Sequence, residues 1–152
     1  AKKLKLSLDH RLATDNYHKF FLLGKNEELK IDLVKEQKVH FGQIKTFGRI
    51  RVDSIANIGS NKITAIFGRT EAKDFIDLYF ILKKKLFTFE KLFQDATKKD
   101  LGLSEFYLAH MILEVKSLKD FPKMFVPFSS DRMKRYFVSL ANKLLLKAKP
   151  PL

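Results

Sequence analysis

The change of hydrophobic period near residue 53 is the feature that most constrains the fold. Before it, apolar residues alternate with polar ones, as in Leu29–Val34, or cluster in short runs, as in Tyr17–Leu23. Both patterns are typical of strands. After it, apolar residues recur every three or four positions, which is typical of helices. Strands followed by helices predict an α+β fold, with a sheet portion over residues 1–52 and a helical portion over 53–152.

The strand region contains one clear hairpin signal. Leu4, Leu6 and Leu8 alternate with polar residues, and the turn-forming sequence from Gly24 to Glu27 separates two later strand-like runs. A Gly/Asn turn between such runs predicts a hairpin. A further short strand is predicted over 49–52.

The predicted helices begin at polar residues suited to capping. Helices are expected over about 55–68, 71–85, 88–98, 103–115 and 131–147, with a break at Gly59 in the first. Their predicted caps are Asp53-Ser54, Thr70, Thr88, Ser104 and Ser130-Asp131. The last helix carries an apolar stripe of Met133, Phe137, Leu140, Ala141 and Leu144, and its other face carries Arg132, Lys134, Arg135, Lys143 and Lys147.

Composition excludes several classes of protein. The chain has 152 residues, no Cys and a formal net charge of +13. Disulfides and thiolate chemistry are therefore excluded, and a reducing compartment such as the cytoplasm fits. No apolar run approaches the roughly 20 residues that span a bilayer, so no membrane partner is expected. The charge indicates a polyanion such as nucleic acid, although a lysine-rich solvated surface explains it equally well.

The residues that could carry chemistry concentrate in the segment 61–82. Lys62, Arg69, Lys73, Asp74 and Asp77 are set into apolar helical stripes there. Asp77 is followed by five apolar or aromatic residues, so we expect it to be buried and to require a partner. On the residues alone, an internal salt bridge to Lys73, Arg69 or Lys62 is favoured over a catalytic role.

The same segment resembles the signature of the AbiEii/AbiGii nucleotidyltransferase toxin family. The matching positions are Lys62, Ala65, Arg69, Lys73, Asp74, Asp77, Leu78, Tyr79 and Leu82. The resemblance implies a fold like that of the polymerase-β-type nucleotidyltransferases. It also implies transfer of a nucleotidyl group from an NTP, with Mg²⁺, to an acceptor such as tRNA. It further implies a toxin of a toxin–antitoxin or abortive-infection system, with an antitoxin protein as a partner.

The resemblance assigns roles to particular residues. Asp32 matches a strand carboxylate that acts as metal ligand or base, and Lys62 matches the lysine that contacts the nucleotide. Asp74 and Asp77 match an acidic pair that orders the site, and Lys73 or Arg69 would contact phosphate or hold that pair. Asp32, Lys62 and Asp77 are the first candidates for catalysis. The alternatives are an outward polar residue at Asp32 and a solvated lysine at Lys62.

The sequence also departs from the family. The family's Gly-Ser or Gly-Gly loop followed by Asp-x-Asp is missing, and Gly59-Ser60 has no acidic pair after it. We therefore expect an incomplete part of a longer enzyme, inactive alone, in preference to a degenerate relative. A non-catalytic nucleic-acid-binding module is the alternative, using the last helix and the run Lys83–Lys85. A partner-binding remnant with an apolar surface near Phe121–Phe128 is a third reading.

Overall fold

The computed structural model of the protein describes residues 6–35 and 39–148. Strands come first and helices follow, which confirms the α+β prediction. The chain divides into two compact units, residues 1–38 and 39–152. The predicted boundary at residue 52 follows the change from strands to helices, whereas the compact units divide fourteen residues earlier, so a short hairpin belongs to the helical unit.

The first unit is a three-stranded antiparallel sheet. Its strands are β1 (Ser7–Ala13), β2 (Tyr17–Leu23) and β3 (Glu28–Val34), in the order β1-β2-β3. The predicted hairpin is confirmed, and its turn is closed by the Gly24 N–H donating to the Glu27 carbonyl at 2.8 Å. The predicted alternation at Leu4 lies outside the described residues.

The second unit opens with a small hairpin and continues as helices. The hairpin consists of β4 (Lys45–Phe47) and β5 (Ile50–Val52), which pair antiparallel. The helices are α1 (Ile55–Gly68), α2 (Ala72–Lys83), α3 (Phe89–Lys99), α4 (Glu105–Leu113), a 3-10 helix (Glu114–Ser117) and α5 (Ser130–Lys147). Helix α1 packs against α2, α3 and α4, and α5 packs against α4.

The core of the second unit is built from the predicted apolar stripes. Phe75 of α2 and Phe137 of α5 are both fully buried and meet edge to face, with ring centroids 5.2 Å apart. The stripe predicted on α5 is confirmed: Met133, Phe137, Ala141 and Leu144 are buried and Leu140 is partly buried. Burial of such side chains stabilises the fold by about 1.5–3 kcal/mol each.

Three of the predicted helix caps are confirmed and two are wrong. Ser54, Thr88 and Ser104 each accept a hydrogen bond from the backbone N–H three residues later. The N-cap residue of α2 is instead Glu71, which makes no side-chain cap bond, and α5 is capped by Ser129, one residue before the predicted cap. These shifts of one residue do not change which face of each helix is buried.

The expected break at Gly59 is wrong, because α1 continues through it. Gly59 serves a different purpose, which is close packing against α3. A Cβ built on it would lie 2.8 Å from Leu92 Cδ1, and Leu92 is fully buried. The missing side chain therefore lets the two helices approach each other at this point.

Substituting Gly59 by Ala should destabilise the protein. Overpacking of a filled core costs about 1–3 kcal/mol, which exceeds the roughly 1 kcal/mol that Ala gains over Gly in a helix. We expect a net loss of about 1 kcal/mol in the free energy of unfolding, measured by urea denaturation. Gly68→Ala is the matched control, because a Cβ added there would have no atom within 4 Å, and it should be neutral or stabilising. A Gly59→Ala variant as stable as the unsubstituted protein would contradict this account.

Candidate functional site

A network of charged side chains joins α1 to α2. The Asp74 carboxylate is completely buried, and each of its oxygens has its own cation. Lys62 Nζ lies 2.9 Å from Oδ1, and Arg69 Nε lies 2.9 Å from Oδ2. A buried carboxylate is costly unless it is paired and hydrogen-bonded, so these two contacts satisfy a requirement of the fold. They also fix Lys62 and Arg69 side by side.

The helices place these groups by simple geometry. Asp74 lies in the first turn of α2, where the helix dipole favours negative charge. Asp77 is three residues further on, hence on a neighbouring part of the same surface. The Lys62 ammonium reaches both, at 2.9 Å from Asp74 and 2.7 Å from Asp77. One lysine of α1 thus bridges two carboxylates of α2.

The burial expected for Asp77 is wrong. Its side chain is 50% exposed, whereas that of Asp74 is 0% exposed. The residues on either side of Asp77 in the sequence are buried, but the Asp77 side chain lies on the exposed face of the helix, as Lys73 does. Of the internal salt bridges considered for Asp77, the one with Lys62 is present.

The network changes the acid–base properties of its two central groups. Burial alone would raise the pKa of the Asp74 carboxyl, but hydrogen bonds from Arg69 and Lys62, together with their charges, hold it below its ordinary value. Burial likewise opposes the charge on Lys62, yet hydrogen bonds to Asp77 and Asp74 raise its pKa above the ordinary value. Both groups are therefore ionised near neutral pH.

The outer edge of the network holds Lys73, Arg69 and Glu71. Lys73 Nζ lies 2.9 Å from Glu71, and Arg69 Nε lies 3.5 Å from the same carboxylate. Sequence reasoning missed Glu71, although its position between the two helices was the available signal. With Glu71 included, three cations face three carboxylates.

Asp32 belongs to the first unit and is fixed there by its neighbours. It lies on β3, where Oδ1 accepts a hydrogen bond from the Tyr17 hydroxyl at 2.7 Å and Oδ2 pairs with Lys30 at 2.9 Å. The hydrogen bonds from Lys30 and Tyr17 lower the pKa of this carboxyl. The side chain is 30% exposed, so Asp32 is an outward-facing, ionised strand residue whose two oxygens already have partners.

The described residues do not form a complete metal site. Across residues 6–35 and 39–148, no three Asp, Glu, His or Cys side chains are grouped as metal ligands. The individual carboxylates explain this, since both oxygens of Asp74 are bonded to cations and those of Asp32 to Tyr17 and Lys30. Within these ranges, none of the helices combines the length and hydrophobicity that a membrane span requires.

The comparisons with known proteins identify the family. The family described as "Nucleotidyl transferase AbiEii toxin, Type IV TA system" matches residues 5–142. The chain therefore belongs to this family of nucleotidyl transferase toxins. The predicted relationship is confirmed.

A solved structure is also similar to the chain. The crystal structure of JHP933 from Helicobacter pylori matches with a TM-score of 0.49 and 16% sequence identity. The match covers 93% of this chain and 64% of that chain. This protein thus spans just under two thirds of JHP933. No curated protein matches the sequence significantly.

Asp74 and Asp77 should differ sharply in their effect on stability. Asp74→Asn removes a buried charge that two cations need, and we expect a loss of about 2–3 kcal/mol in the free energy of unfolding. Asp77→Asn removes a half-exposed ion pair, which is worth less than about 1 kcal/mol. Urea denaturation of both variants at neutral pH measures this difference, and equal losses would contradict it.

The Asp74 contribution should depend on pH in a defined direction. Because its folded-state pKa is lowered, ionised Asp74 stabilises the fold fully above the pKa of an unfolded Asp, about 4. That stabilisation is lost as pH falls through the lower folded-state pKa. The stability gap between the unsubstituted protein and Asp74→Asn should therefore be largest near neutral pH and narrow below pH 4. A gap that widens on acidification would be inconsistent with the network.

Proposed function

We propose that the protein transfers a nucleotidyl group from an NTP to an acceptor, and that the α1–α2 charge network contacts the triphosphate. The observation that carries the proposal is the buried Asp74 carboxylate, which fixes Lys62 and Arg69 beside each other. Two cations held in one place suit a triphosphate, whose negative charge grows as pyrophosphate leaves. Family membership supports the reaction class.

Lys62 is the residue we assign to phosphate contact. Its side chain is 20% exposed, and of its two carboxylate partners Asp77 is half-exposed. A phosphate oxygen can take the position of Asp77 at Lys62 while the ammonium keeps its bond to the buried Asp74. Arg69 and Lys73, both about half-exposed, lie along the same edge and would contact the remaining phosphates. Asp74 acts on the nucleotide only through the cations that it positions.

The roles of Asp32 and of the metal ion remain predictions. We propose Asp32 as a metal ligand or base, on the family resemblance and its strand position. NTP-dependent transfer of this class uses a divalent cation such as Mg²⁺ to clamp the attacking and leaving oxygens. The carboxylates of the described residues do not by themselves form such a site.

The acceptor and the cellular setting follow as further parts of the proposal. The net charge of +13 favours a polyanionic acceptor, and RNA, including tRNA, has the required charge. A toxin of this kind would act in the cytoplasm, where NTPs and RNA are present, until its antitoxin counteracts it.

Nucleotidyl transfer from labelled NTPs to a tRNA pool with Mg²⁺ tests the proposal. The chain should be assayed alone and with any residues that its gene encodes before Ala1. We expect Lys62→Gln to lower transfer by about 100-fold or more, because one preorganised charge at the reacting phosphates is lost. Asp32→Asn should abolish transfer with little effect on RNA affinity.

Two further variants make this assay specific. Lys62→Arg keeps the charge and should recover part of the activity, whereas Lys119→Gln removes an exposed lysine outside the network and should leave transfer unchanged. Thermal melts of each variant separate loss of chemistry from loss of fold. Absence of transfer from every NTP by every form, with RNA still bound, would contradict the proposed activity.

A second candidate function is nucleic-acid binding without catalysis, favoured by the outer face of α5. Arg132, Arg135, Lys143 and Lys147 are exposed there. Lys134 was predicted on the same face. Its ammonium instead makes an internal hydrogen bond, donating to the Leu118 carbonyl at 2.6 Å. The basic face of α5 is thus carried by four residues.

Charge reversal on α5 tests this second function. If the face binds RNA, the double variant Arg132→Glu/Arg135→Glu should bind more weakly, and its log affinity should fall less steeply with log salt, by about 1–2 in slope. Asp32→Asn should then change nothing. Filter binding over a range of salt concentrations measures both quantities. An unchanged slope in the double variant would exclude α5 as the RNA-binding face.

A further inference from the structure

Three lysines place their ammonium groups close to one aromatic ring, and none of these residues belongs to the α1–α2 network. The ammonium groups of Lys91, Lys98 and Lys99 lie 5.8, 5.7 and 5.5 Å from the centroid of the Phe41 ring. All four residues belong to the second unit. Because each ammonium nitrogen lies within 5.8 Å of the same ring centroid, any two of them are separated by at most about twice that distance. We call these four residues the Phe41 cluster.

Helix α3 gathers the three lysines on one face. Lys98 and Lys99 follow Lys91 by seven and eight residues, which is about two helical turns. The carboxylate of Asp95, four residues after Lys91, pairs with Lys91 at 2.6 Å. Lys98 is exposed and makes no ion pair within the part of the chain that the structure describes. The cluster therefore concentrates positive charge around an aromatic surface.

The Phe41 backbone is anchored so that its ring has a defined position. Its N–H donates to the Asn57 side chain at 3.2 Å, and its carbonyl accepts a hydrogen bond from the Ser54 hydroxyl. The next residue is Gly42, with φ +77°, and a Cβ there would lie 2.7 Å from Ser54 Oγ. Only glycine permits this close approach, so the local chain is shaped to hold Phe41 against the start of α1.

One lysine of the cluster is also fixed by α1. Lys99 Nζ donates to the side-chain oxygens of Asn57 and Asn61, at 2.5 Å each. Asn57 is fully buried and also donates to Asp53 at 2.7 Å. A buried amide that orients both a lysine and the Phe41 backbone gives the cluster a rigid base. Asn61 precedes Lys62, so the base of the cluster adjoins the lysine of the proposed nucleotide contact in sequence.

We propose that the Phe41 cluster binds a single-stranded polynucleotide, with phosphates at the lysines and a base against the Phe41 ring. Aromatic rings within a positively charged surface are the general means by which proteins bind single strands. The three ammonium groups come from one helix and lie within 5.8 Å of the ring centroid, so phosphates next to a stacked base would be within their reach. Binding of a strand at this cluster does not require nucleotidyl transfer.

Binding of a fluorescent, unstructured RNA oligonucleotide, without NTP, tests the proposal. Lys98→Gln is the variant of choice, because Lys91 and Lys99 also hold Asp95, Asn57 and Asn61. It should lower RNA affinity by about three- to tenfold and reduce the salt slope by about 0.7, the value for one phosphate contact on a single strand. Lys119→Gln, also exposed in the second unit, is the matched control and should bind within twofold of the unsubstituted protein.

Variants of the ring separate stacking from charge. Phe41→Leu should lower affinity by about fivefold or more with an unchanged salt slope, because a stacked base is worth about 1–3 kcal/mol. Phe41→Tyr keeps the ring and should bind normally, and thermal melts confirm that both variants fold. Normal RNA affinity in Lys98→Gln, or equal losses in Lys98→Gln and Lys119→Gln, would overturn the site.

Competition with ATP identifies the source of the phosphates. We expect ATP to displace the RNA only weakly, and Lys98→Gln to leave ATP affinity unchanged. Loss of ATP binding as large as the loss of RNA binding would overturn the strand assignment in favour of a mononucleotide. If the protein transfers no nucleotides but the Lys98 and Phe41 variants bind RNA more weakly as expected, the proposed activity is wrong and the RNA-binding site still holds.

Discussion

The buried Asp74 carboxylate is the interaction on which the arrangement of α1 and α2 depends. An ionised carboxylate without solvent must be paired, and its partners come from α1 and from the connection between the helices. The same requirement brings Lys62 and Arg69 to one place. Structural stability and the proposed phosphate contact thus depend on the same two ion pairs. The motif therefore needs no separate residues for the two purposes.

Most of the fold was predictable because it depends on local patterns. The period of apolar residues determined which segments became strands or helices, and Ser54, Thr88 and Ser104 marked three helix starts. Burial on α2 was harder to predict. The apolar run after Asp77 suggested a buried carboxylate. Successive side chains on a helix are rotated by about 100°, however, so the burial of its sequence neighbours does not determine whether Asp77 is buried. Rotation places Asp77 with exposed Lys73, and Asp74 with buried Phe75 and Leu78.

The candidate site was predictable only where one short segment supplied it. Lys62, Arg69, Asp74 and Asp77 lie within sixteen residues, and the structure brings them together. The Phe41 cluster joins residues about fifty positions apart, through a glycine turn and a buried Asn57 that no periodicity marks. Gly59 shows the same limit, since its role is set by Leu92 on another helix. Contacts between distant segments require the tertiary structure.

The double pairing of Lys62 has a consequence for the kind of chemistry that this residue can perform. A lysine serves as a proton donor or acceptor only if its pKa lies near the working pH, and the hydrogen bonds to Asp77 and Asp74 shift the pKa of Lys62 upward instead. With both carboxylates in place, its ammonium therefore keeps all three protons near neutral pH. In the proposed nucleotidyl transfer, Lys62 would therefore act as a permanent positive charge, and another group would accept the proton of the attacking hydroxyl.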